Sequence, residues 1–181
     1  MNNTQTQLLT QAVQDVMRLH PSPIIAVSGN TPTEKTYTSL QTAYHLFNKE
    51  LFNGKLPHCL ITMKNNNKRS YGFFASNQYA NKNNTTEIVD EIALNSINFT
   101  NRTTREILST LVHEMCHVWQ YHNGKPSKGY HNKQWAVKMQ AIGLIPSNTG
   151  LAGGKTTGQQ MSHYILIDGL FDKASKPLLE T

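Results

Sequence analysis

The chain has 181 residues, of which 38% are hydrophobic and 15% charged, and it carries a net charge of +6. That length fits a single domain with a buried core, and it contains no apolar run long enough to span a membrane. Its N-terminus, MNNTQTQLLT, lacks the basic and apolar regions of a secretory signal. Two cysteines, Cys59 and Cys116, are too few for a disulfide framework or a zinc ribbon. A soluble, cytoplasmic protein in a reducing compartment is expected, with a monomer favoured.

The charge is unevenly placed. Residues 51–86 contain no Asp or Glu but include Lys55, Lys64, Lys68, Arg69 and Lys82. A second acid-free run, 115–167, carries Lys125, Lys128, Lys133, Lys138 and Lys155. Such surfaces suit nucleic acid or another polyanion, the plain alternative being a solvated basic surface.

In chain order, residues 5–19 read as an amphipathic helix ended by Pro21 and Pro23, and the apolar run 24–27 fits a strand or a linker. Thr33, with residues 36–53, predicts a second helix, closed by Asn53-Gly54. Three strand patterns follow over 59–63, 71–75 and 87–94, with the polar tracts 65–69 and 78–86 as turns or loops. Thr103 and Glu106 form a capping box, from which a helix runs to about His122. Gly124, Pro126 and Gly129 mark a loop, and a final helix is expected from His131 to about Ile142. Glycines 150, 153, 154 and 158 break the next stretch, and residues 164–167 fit a last strand. The GLAGGKT of residues 150–156 is too short for a phosphate loop and lacks a preceding strand, so it reads as a flexible basic loop.

The long helix carries HEMCH, residues 113–117. His113 and His117 stand one turn apart on one face, so both imidazoles can reach one metal. Glu114 projects about 100° round the helix, where it can take a proton from water. The competing reading is a pair of exposed histidines beside a solvated glutamate. Against it stand Leu108, Leu111, Val112, Met115 and Trp119, an apolar face fit for a core.

A catalytic zinc wants three protein ligands and one open position. No acid occurs between Glu114 and Asp168, so a later carboxylate is almost excluded as the third. His122 points about 180° from His113 if the helix continues. His131 follows a loop able to reverse the chain and is favoured over His122, with His163 third. Cys116, Met139 and Trp135 read as core.

HEMCH, the GYH of residues 129–131 and the following NKQWAVKMQAIGL resemble the SprT-like family of zinc metallopeptidases, the family that includes Spartan. FNKELFNGKLP (47–57), YGFF (71–74) and EIALN (91–95) fit the same pattern, so the resemblance covers about residues 36–145. The segment 146–164, with GGKTTGQQMSHY, resembles a bacterial plasmid- or phage-borne branch.

The resemblance implies an α+β, zincin-like domain over residues 31–181, a small mixed sheet packed on the motif helix and its neighbours. Residues 1–30 would be a helical extension. It implies His113, His117 and His131 as Zn2+ ligands and Glu114 as the catalytic glutamate. The implied substrates are proteins bound or crosslinked to DNA, in keeping with the basic runs. Many members carry a C-terminal zinc ribbon of paired cysteines, which two cysteines cannot supply. DNA contact is therefore expected from the domain itself, through Lys125, Lys128, Lys133 and Lys155, or from a segment beyond it. In this arrangement an edge strand aligns the substrate backbone, and residues 87–94 are the candidate. Tyr130 and Tyr164 are candidate oxyanion donors, each equally readable as a packing aromatic. The rival function is a non-catalytic, zinc-stabilised nucleic-acid-binding module; a third is a zinc hydrolase of small amides.

Overall fold

The computed structural model describes residues 31–65, 70–82 and 84–180. The expected helix over 5–19, the run 24–27 and residues 66–69 of the first polar tract lie outside the described residues. The chain divides into units Met1–Thr36 and Tyr37–Thr181. Of the first unit, residues 31–36 are described; Thr31 Oγ1 accepts from the Glu34 backbone N–H at 3.3 Å and donates to the Glu34 carboxylate at 2.7 Å. That reciprocal cap starts helix α1, Pro32–Phe52, one residue ahead of Thr33 and four ahead of residue 36, where the helix is expected to begin. The helix ends where Asn53 and Gly54 take φ of 56° and 69°. The Asn-Gly pair tolerates these left-handed angles at little cost.

The strands are β1 (Cys59–Lys64), β2 (Gly72–Asn81) and β3 (Asn84–Asn95). They form one mixed sheet in the order β1-β3-β2, with β1 parallel and β2 antiparallel to β3. This corrects two expectations. The tract 78–86 is mostly the hairpin of two long strands, because Tyr79, Ile88 and Val89 extend the pairing into polar sequence. The strand over 87–94 is the sheet's centre and not an edge, since both of its sides are already hydrogen-bonded.

After a 3-10 turn over Ser96–Asn101, helix α2 covers Thr104–Asn123. Thr103 and Glu106 make the capping box in both directions. Leu111, Val112 and Met115 are buried on α2, in one core with Ile61, Ile92 and Leu94 of the sheet and Phe47 of α1. Helix α3, Lys133–Ala141, is capped by Asn132, whose side chain accepts from the Trp135 backbone N–H. His131 therefore precedes α3 rather than opening it.

Two elements escaped the sequence reading. One is strand β4 (Leu144–Ser147), which pairs antiparallel with β5 (Ser162–Ile165), itself beginning two residues ahead of the strand expected over 164–167; the other is helix α4, Leu170–Leu179. Phe171 of α4 is fully buried against Phe47, with ring centroids 5.5 Å apart, and Asp172 pairs with Arg105 of α2. No helix of the described residues is long and apolar enough to cross a membrane.

Charge balance in space differs from charge balance along the chain. Lys64 lies 2.8 Å from the buried Glu91 across the sheet, and Glu91 also accepts from Thr62 Oγ1 at 2.6 Å. Lys138 is half-buried and donates to the Leu51 carbonyl at 3.0 Å, its ammonium over the Phe52 ring. Neither lysine belongs to a free basic surface.

Candidate metal centre

Helical spacing and one reversing loop bring three imidazoles together. Ring nitrogens of His113, His117 and His131 all lie within 4.8 Å of one another. His113 and His117 come from successive turns of α2, and His131 arrives on the loop between α2 and α3. His131 is held there by the backbone: its N–H donates to the Gly158 carbonyl at 2.8 Å, and the Gly158 N–H donates back at 3.2 Å. Its Nδ1 also contacts the Gly158 carbonyl at 3.1 Å, which makes Nδ1 the protonated nitrogen and leaves Nε2 with a free lone pair.

Trp135 lies beneath the set, wholly buried. Its ring centroid is 4.9 Å from that of His113, 5.3 Å from His117 and 4.5 Å from His131. Burial keeps these imidazoles neutral: His113 is driven well below the ordinary histidine value, His117 down to about 3, and His131 downward as well. In each case the main cause is lost hydration of the charged form, and the neighbouring rings add mutual repulsion to His113 and His117. Three neutral, convergent nitrogen donors with no carboxylate among them suit a borderline cation such as zinc.

Glu114 is 5% exposed, and burial pushes its carboxyl up to about 8. Its Oε1 lies 3.2 Å from the point where a Cβ on Gly72 would stand, with Thr110 Cγ2 and the Ala93 carbonyl equally tight. The glutamate thus rests against the bare backbone of β2, which is an edge strand of the sheet. Position 72 has no room for a side chain. Gly72→Ala is expected to destabilise the fold by about 1–3 kcal/mol through overpacking and to displace Glu114. Denaturant titration and proteolytic rate measure the two effects.

The other candidates separate clearly. His122 donates from Nε2 to the buried Asp90 carboxylate at 2.6 Å and is absent from the histidine cluster. His163, also outside the cluster, sits 3.2 Å from His113, Nδ1 to Nδ1, so it touches a cluster member. Tyr130 is exposed next to His131. Strand alternation sends Tyr164 to the face of β5 opposite His163. Lys125, Lys128, Lys133 and Lys155 are all exposed, the first three in the loop and helix start that flank His131. Sequence reasoning missed the role of Trp135 under the rings, of Gly72 against Glu114 and of Gly158 behind His131. Only YGFF hinted at Gly72.

The SprT-like family model matches residues 40–153, which include the whole histidine cluster. The chain belongs to the SprT-like family. Membership gives this SprT-like chain a metalloprotease-type function in general terms. A Salmonella typhimurium protein described as an uncharacterized protein in the mucB 3′ region is similar, 40% identical over 58 residues. That stretch is 32% of the present chain and 77% of the Salmonella protein, consistent with a plasmid- or phage-type branch. No solved structure matches the chain.

Proposed function

We propose that this SprT-like protein is a zinc-dependent endopeptidase acting on proteins held on DNA. The observation that carries the reading is the convergence of His113, His117 and His131 with a buried Glu114 one residue along the same helix. The three imidazoles would hold the zinc, and the exposed Tyr130, the residue before His131, is the candidate oxyanion donor. Bound zinc would supply a Lewis acid that polarises the scissile carbonyl and acidifies water.

The chain's own residues account for the remaining steps. The substrate backbone adds as a strand to the outer edge of β2, which brings its carbonyl past Gly72 toward Glu114. Glu114 accepts the proton of the attacking water on a carboxylate oxygen and passes it to the leaving amine nitrogen. Trp135 keeps water from the back of the histidine rings.

Lys125, Lys128 and Lys133 border the loop that delivers His131, and Lys155 lies three residues before Gly158. A polyanion bound to them would lie beside the cleavage site, and this supports DNA-associated proteins as substrates.

The test is cleavage of a DNA-bound protein by the zinc-loaded chain. A chelator is expected to abolish cleavage and added zinc to restore it. DNA binding is expected to weaken with salt, and charge reversal at Lys125, Lys128 and Lys133 to weaken it further while lowering the salt slope. Zinc bound tightly with no cleavage of any protein would favour the binding module instead. Salt-insensitive or undetectable DNA binding would remove the DNA half of the reading.

A further inference from the structure

A hydrogen-bonded chain runs from the first turns of α2 to the back of His113, and its proton positions can be read from chemistry. The Glu106 carbonyl can only accept, so the Ser109 hydroxyl 2.8 Å away donates to it. Ser109 Oγ therefore accepts at 2.9 Å from Nε2 of His163, which must carry its proton there. Neutral His163 then presents a bare Nδ1. His113 Nδ1, at 3.2 Å, is left as the donor. That fixes His113 as the Nδ1–H tautomer, with its Nε2 lone pair free for a cation.

Both middle members of this chain are fixed in regular elements. Ser109 is buried within α2, a few residues past its capping box. His163 is locked in β5 opposite Pro146 of β4. Gly158, on the same stretch of chain, treats His131 in the same way. The outer partners of two of the three imidazoles therefore come from residues 158–163, beyond the segment 40–153 that the family model matches.

We propose that His163 is a positioning residue: with Ser109 behind it, it holds His113 in the metal-ready tautomer and so sets the affinity of the site for zinc. The proposal rests on the reading of the three histidines as zinc ligands. Outer-layer partners of ligating histidines typically carry about 10–100-fold in metal affinity.

Two measurements test it. In the metal-free wild-type protein, long-range proton–nitrogen correlation spectra are expected to show His113 protonated on Nδ1 and His163 on Nε2. By chelator competition, His163→Phe, which keeps ring volume and loses both bonds, is expected to bind zinc about 10–100-fold more weakly. His163→Gln, whose amide offers one acceptor and one donor, should bind more tightly than His163→Phe. Ser109→Ala should weaken zinc binding less than His163→Phe, and the double variant should be no worse than His163→Phe alone, because the serine acts through the histidine.

His113 protonated on Nε2 in the metal-free protein would overturn the proposal, as would unchanged zinc affinity in the His163→Phe and Ser109→Ala variants. Should His163→Phe not fold, the wild-type tautomer and Ser109→Ala still decide. Neither readout depends on proteolysis. A chain that shows these effects without cleaving protein would refute the protease reading and leave this one standing.

Discussion

Replacing Glu114 by Gln is expected to lower protein cleavage about 10²–10⁴-fold, the usual contribution of a positioned acid–base group, while zinc stays at one per chain. The amide matches the carboxylate in shape and still fits the narrow space beside Gly72 and Thr110. What it cannot do is accept the proton of the attacking water or deliver one to the amine. Because Glu114 is outside the histidine cluster, metal content should not follow activity. Initial cleavage rates and elemental analysis on the same preparations separate the two quantities. Undiminished cleavage would remove Glu114 from the mechanism, and lost zinc would make it part of the metal-binding set.

His131→Ala is expected to lose zinc affinity by more than the about 100-fold ceiling typical of an outer-layer partner, and to lose cleavage with it. A third ligand separates a structured catalytic site from two histidines on a helix. The change should leave the metal-free fold largely intact. The bridge between residues 131 and 158 is made by backbone groups, N–H to carbonyl at 2.8 and 3.2 Å, and alanine keeps both. His122→Ala is the control, and it should behave in the opposite way. That variant should keep its zinc but lose stability, because Asp90 is buried and would lose the imidazole 2.6 Å away. Chelator competition and thermal unfolding of the metal-free variants distinguish these outcomes.

Much of the centre could be read from the chain because its information is local. The Thr103–Glu106 capping box, the apolar stripe of Leu108, Leu111, Val112 and Met115, and the His-Glu-x-x-His spacing are all features of one helix. Periodicity alone therefore sets where the two histidines and the glutamate point. His131 was reachable because few histidines remain and a glycine-containing loop can turn the chain toward them.

What escaped depends on contacts between distant residues. Strand patterning finds residues 87–94 but says nothing about which strands lie on either side, so it cannot tell the centre of the sheet from its edge. Lys64 looks unpaired over a long acid-free run, yet its partner Glu91 is only one strand away. His163 stands fifty residues after His113 with no spacing rule to link them. Helix α4 carries a Pro inside and follows a glycine-rich stretch, so local signals concealed it, although Phe171 is fully buried in the core.

The most direct measurement is zinc-edge X-ray absorption on the purified protein, with its metal stoichiometry. One zinc per chain, with three imidazole nitrogens and one further light atom as neighbours and no sulfur, is the predicted result. Sulfur scattering, fewer than three imidazoles, or a spectrum that His131→Ala leaves unchanged would contradict the account.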